Sequence, residues 1–191
     1  MRMHKLLTGI LAIFLCTGSV PRAFAQEREP LNDKEVDELR EAAQEPVKRL
    51  RFYLMFTGSR LLDIENLQDD KKADNRGQQI HDLLQDFSTL IDEMDDNIDD
   101  YAQHAQDMRK VLPEVIHAET DYQTKLRTLQ QTAQNDPKAA QEFRQYNFAL
   151  EDAMESVRGS LDDAQKTLAD QTEQFKELEE KKKQEQKKKK Y

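Results

Sequence analysis

The chain has 191 residues, no tryptophan, one cysteine, 35% charged side chains and a formal net charge of −9. Such an acidic balance excludes nucleic acid as an expected partner, because binding DNA or RNA needs cations that displace phosphate counterions. The single cysteine leaves no disulfide within the chain, and the charge density suits thin amphipathic helices better than a thick core.

Arg2, His4 and Lys5 precede an apolar run from Leu6 to Val20, and Ala23-Phe24-Ala25 carries the small-x-small pattern of a cleavage site. Residues 1–25 therefore read as a secretory signal peptide of bacterial type whose removal frees Gln26. A spanning helix wants about 20 apolar residues. This run is shorter and is diluted by Thr8, Gly9, Thr17, Gly18 and Ser19. Acylation of Cys16 is disfavoured by bulky Phe14 and Leu15 before it, and cleavage removes that cysteine. The expected location is outside the cytoplasm, periplasmic or extracellular.

Residues 26–180 form the expected helical body, with 37 acidic against 19 basic residues, a balance of −18. Its first helix is expected over about 33–68, opened by Asn32 with Glu35 three residues on, a capping-box pattern. Val36, Leu39, Ala43, Val47, Leu50, Leu54, Leu61 and Ile64 supply an apolar face, and Pro46 should bend or split the helix. Phe52, Tyr53, Leu54, Met55 and Phe56 make that helix apolar almost all round. A helix apolar on every side wants burial on every side. That segment is the expected protein contact, whether between the other helices, in a partner or in a dimer interface.

A polar loop over 69–77 leads to a second rod expected over 77–134. Stepping alternately four and three residues from Ile80 gives Leu84, Phe87, Ile91, Met94, Ile98, Tyr101, Ala105, Met108, Leu112, Val115, Glu119, Tyr122, Leu126, Leu129 and Ala133. Fifteen of these sixteen positions are apolar or aromatic, Glu119 being the exception. A repeat of 3.5 residues sustained over seven heptads is the mark of a long helix packed along a narrow seam. Pro113 interrupts the segment while the repeat keeps its phase, so a kinked continuous rod is expected, with two abutting helices as the fallback.

Asn135-Asp136-Pro137 reads as a turn and a helix start, and a third rod is expected over 137–180. Its seam is Phe143, Asn147, Leu150, Met154, Val157, Leu161, Ala164, Leu168, Gln171, Phe175 and Leu178. Asn147 and Gln171 interrupt it, either fixing register or lying where the seam is wet, and the wet seam is the expectation for Gln171. Residues 181–191 hold seven lysines, Lys181, Lys182, Lys183, Lys187, Lys188, Lys189 and Lys190, against Glu185, and are expected to be disordered. They serve either as a solubilising tail that complements the last helix dipole or as a tether to an anionic envelope surface.

No segment alternates as a β-strand does, so the expected fold is all-α: an elongated antiparallel three-helix bundle or coiled coil with a disordered basic tail. No catalytic constellation is expected. Glu114 and His117 have the Glu-x-x-His spacing of ferritin-like sites, but there is one copy and His117 falls off the seam. Asp92, Glu93, Asp95, Asp96, Asp99 and Asp100 lack the glycine of a calcium loop and read as a solvated face. His81 and His104 lie about six turns apart on one rod, too far to share a ligand. Ser59, Ser88, Ser156 and Ser160 lack nucleophile-elbow context. Neither a cofactor nor a small-molecule substrate is implied. The expected function is an exported, non-enzymatic scaffolding or interaction protein of the bacterial cell envelope, working through helical faces by self-association or a protein partner. The alternative is a periplasmic holdase for unfolded envelope proteins, motivated by Phe52 to Phe56 and by adaptable Met55, Met94, Met108 and Met154.

Overall fold

The computed structural model describes residues 28–70, 72–135 and 139–188, so residues 1–25, read above as an expected signal peptide, and the turn expected at Asp136-Pro137 lie outside the described residues. The described residues are all-helical: α1 (Asp33–Glu41), α2 (Pro46–Asp69), α3 (Arg76–Gln103), α4 (Leu112–Asn135) and α5 (Ala139–Lys188). At about 1.5 Å per residue α5 is about 75 Å long.

The capping box at Asn32 forms, its side chain accepting from the Lys34 and Glu35 amides while Glu35 accepts from the Asn32 amide. Such a cap contributes about 1 kcal/mol. The helix expected over 33–68 is split at residues 42–45, and Pro46 opens α2 at a position where its missing N–H costs nothing.

The rod expected over 77–134 is also divided, and its break precedes Pro113. Ala105 adopts a left-handed conformation, φ 54°. The Gln106 amide donates to the Tyr101 carbonyl at 2.9 Å and the Ala105 amide to the Ala102 carbonyl at 3.0 Å. These two bonds make a Schellman cap, with alanine where glycine is usual. Pro113 then falls in the first turn of α4, so it starts a helix instead of kinking one. Because a side chain in the left-handed region is strained, Ala105→Gly is expected to raise stability by about 0.5–1 kcal/mol in urea denaturation. A loss of stability would contradict this cap.

The reversal at 104–111 turns the expected three-helix bundle into four long helices with α1 laid against them. Residue pairs fix their directions. α2 runs antiparallel to α3, with Tyr53 near Glu93 and Asn97, and parallel to α4, through Arg51–Glu114, Thr57–Tyr122 and Glu65–Lys125. α5 runs parallel to α3, through Arg76–Glu142 and Asp95–Ser160, and antiparallel to α4, through Glu119–Ser160 and Arg109 over the Phe175 ring. The helices therefore follow one another around the bundle as α2, α3, α5, α4. α3 and α4 meet across the middle through side chains, Phe87 edge-on to Tyr122 with ring centroids 5.6 Å apart.

The 3.5-residue seam marks burial along both halves. Ile80, Leu84, Phe87, Ile91, Met94, Ile98 and Tyr101 are buried on α3, and Leu112, Val115, Tyr122, Leu126, Leu129 and Ala133 on α4. Gln171 departs from the wet-seam expectation. It is buried, its side-chain oxygen accepting from the Met108 amide at 3.0 Å and its nitrogen donating to the Gln106 carbonyl at 2.9 Å. An amide carries one donor group and one acceptor, which is what this reversal leaves unpaired. Residues 181–188, expected to be disordered, continue α5. Lys, Glu and Gln are good helix formers, Lys181 pairs with Glu177 at 3.6 Å, and cations suit a helix C-terminus.

Candidate functional site

Three places carry chemistry: the α2 apolar segment, the lysine-bearing end of α5, and a carboxyl cluster at the junction of α3, α4 and α5. In the first, Tyr53 and Phe56 are in the core, and Phe52 and Leu54 are half-buried. Phe52 stacks on Phe56 at 5.9 Å, and the Tyr122 hydroxyl donates to the Leu54 carbonyl at 2.8 Å. α3 meets the segment at Tyr53 and α4 meets it at Leu54, so part of its apolar surface goes into this chain's own packing. Met55, 53% exposed, is its outward member, and Leu62, also 53% exposed, follows seven residues later on the same helical face.

At the end of α5, Phe175 lies under the Arg109 guanidinium, 4.2 Å from its ring centroid. Beyond it residues 176–188 are exposed, carrying Lys181, Lys182, Lys183, Lys187 and Lys188; Lys189 and Lys190 lie outside the described residues. Their spacing distributes the charge around the helix instead of along one face.

The third place joins groups that the sequence reading took separately, and it takes Asp95 out of the solvated face expected for it, because α5 packs over it. Glu119 points into the core with 0% exposure, Ser160 is buried and Asp95 is half-buried. The Ser160 hydroxyl donates to Glu119 Oε1 at 2.6 Å and lies 3.5 Å from Asp95 Oδ1, while Glu119 Oε2 has no partner. Burial pushes the Glu119 carboxyl up to about 8, with Asp95 adding to the shift and Ser160 opposing it. Burial also raises Asp95 to about 6, helped by Asp163, Asp99 and Asp96. Among the described residues no cation shifts either group. The cluster's one signal in the sequence is that Glu119 is the sole polar member of the sixteen-position seam.

The remaining candidates are dispersed. Glu114 is exposed and makes a two-pronged bond to Arg51, at 2.9 and 2.6 Å, which lowers its carboxyl below the usual range. His117 is exposed, 3.8 Å from Asp121, and His104 is exposed beside Asp100. His81 lies beside Asp82 at 3.2 Å. Asp92, Asp96, Asp99 and Asp100 face solvent. Among the described residues no group of three or more His, Cys, Asp or Glu is placed to hold a metal ion, and no helix is long and apolar enough to cross a membrane. One open groove of about 340 Å³ between α4 and α5 is lined by Gln123, Arg127, Glu151 and Arg158, and does not reach the Glu119 cluster. No family model, curated protein or solved structure matches the chain.

Proposed function

We propose that this protein is an exported, non-enzymatic helical interaction protein of the bacterial cell envelope, held at an anionic surface by the lysine-bearing end of α5. The observation that carries this reading is the continuation of α5 beyond its last packed side chain, Phe175, as an exposed helix bearing Lys181 to Lys188. A cationic rod set off from an acidic body would bring its charge to a negative surface ahead of the body that such a surface repels. Export rests on the basic, apolar and small-residue pattern of residues 1–25.

Each lysine near an anionic surface is worth about 1 kcal/mol at moderate salt. Removing residues 181–191 from the mature chain is therefore expected to weaken sedimentation with phosphatidylglycerol-containing vesicles by more than about tenfold at low salt. Raising the salt to about 0.5 M should erase the difference between the two chains. Equal binding at low salt would refute the tether.

A holdase is the second reading, favoured by exposed apolar side chains: Met55 and Leu62 on α2 and Phe148, 73% exposed, on α5. It requires that the folded protein slow the aggregation of a model client and lose that effect when Met55 and Leu62 become serine.

A further inference from the structure

The Glu119 cluster sits where three helices converge, so its chemistry bears on all three. Glu119 is contributed by α4, Ser160 by α5 and Asp95 by α3. One serine hydroxyl carries one hydrogen, and here two carboxyls compete for it. With Glu119 ionised, Ser160 can satisfy either Glu119 or Asp95, and the other is left as an acceptor without a donor. With Glu119 protonated, its own O–H donates to the Ser160 oxygen and releases the serine hydrogen for Asp95, so one line of hydrogen bonds joins α4, α5 and α3.

We propose that Glu119, Ser160 and Asp95 form a proton-operated latch, closed when Glu119 carries a proton and opened by its loss, that sets how tightly α4 is held against α3 and α5. The surroundings favour the closed form. From α3 the charges facing the cluster are Asp95 with Asp96 and Asp99 behind it; from α5, Asp163; and on α4 itself the Tyr122 phenol senses Glu119. α2 contributes the neutral Thr57 hydroxyl, 3.1 Å from Tyr122 Oη. Among the described residues the charged neighbours are all acidic, so ionisation of Glu119 adds a negative charge that none of them balances. Oε2, buried and without a partner, would bear that charge unsolvated. The release of the proton is thus the event that makes the α4 seam unfavourable.

Hydrogen exchange on the full mature chain tests the latch. Protection of the α4 amides around Glu119, corrected for intrinsic rate, is expected to fall at least about tenfold between about pH 6 and pH 9, while α1 and the start of α2 hold theirs. Glu119→Gln keeps the size and a donor and cannot titrate, so its α4 protection should keep only the small fall that Asp95 contributes, less than about threefold. Unchanged protection in the native protein, or an equal fall in E119Q, would overturn the proposal. An infrared titration of the unsubstituted protein with labelled glutamate provides a readout that needs no variant. One protonated glutamic acid must be present at neutral pH and vanish on going alkaline, and its absence at neutral pH would equally overturn the latch.

Discussion

Urea denaturation of the mature protein is expected to lose about 2–3 kcal/mol of stability between about pH 6 and pH 8, the reverse of ordinary acid denaturation. The sign follows from which state holds the proton. Glu119 ionises near 4.5 in the unfolded chain and at about 8 in the folded one, because its carboxyl is buried. Between those values the folded state binds a proton that the unfolded state has released. The stabilisation is complete below the unfolded value and disappears as pH rises through the folded one, at about 1.4 kcal/mol per pH unit. Asp95, raised to about 6, adds to the decline over the more acid half of the range. Glu114 and Asp107, held below the usual carboxylate range by their hydrogen bonds to Arg51 and Arg109, act in the opposite sense, and their loss of charge lies on the acid side of this window. Glu119→Leu removes this titration and exchanges a buried carboxyl, one of whose oxygens lacks a partner among the described residues, for an apolar side chain on an apolar seam. It is expected to stabilise the protein by about 1–3 kcal/mol at pH 8 and to remove most of the decline with pH, leaving only the part that Asp95 contributes. A native protein whose stability rises from pH 6 to pH 8 would contradict the assignment.

Phe87→Ala is expected to cost about 3–5 kcal/mol, the range for emptying a fully buried aromatic site. Phe87 is completely buried at the centre of α3, and its edge-on contact with Tyr122 joins α3 to α4 across the bundle. The pair adds about 0.5–1.5 kcal/mol beyond the buried area. Tyr122 is also tied to α2 through Leu54 and Thr57, so a void at Phe87 would loosen the anchor of three helices at once. The exposed Leu178, treated the same way, should change stability by less than about 0.5 kcal/mol. A Phe87→Ala variant within about 1 kcal/mol of the native protein would show that the α3–α4 contact is not part of the core.

The apolar columns were legible because burial obeys spacing: Ile80 to Tyr101 and Leu112 to Ala133 lie inside as their 3.5-residue period requires. What the period did not carry was continuity. A hairpin that brings Met108 and Leu112 back to the core in phase looks the same as an unbroken rod, and Ala105 is not the glycine that announces a helix end. Pro113 was visible, but as a kink, since the helix boundary that makes it a starting residue lay unsignalled before it. Pro46, by contrast, stood where the chain divides. The segment Phe52 to Phe56 displayed its need for burial on every side. How much of that need its own chain meets depends on the packing of α3 and α4 against α2, which a three-rod arrangement does not contain, and Met55 stays exposed. Gln171 and Glu119 were both polar interruptions of a seam, and both are buried with specific partners 63 and 41 residues away. Distance along the chain hides such partners.

Envelope fractionation of cells expressing the full chain, with N-terminal sequencing and a salt wash, bears most directly on the proposed function. The account predicts a protein that begins at Gln26, lies outside the cytoplasm, stays with the envelope at low salt and is released when the salt is raised. A protein found in the cytoplasm with residues 1–25 intact, or one bound to the envelope just as firmly without residues 181–191, would contradict it.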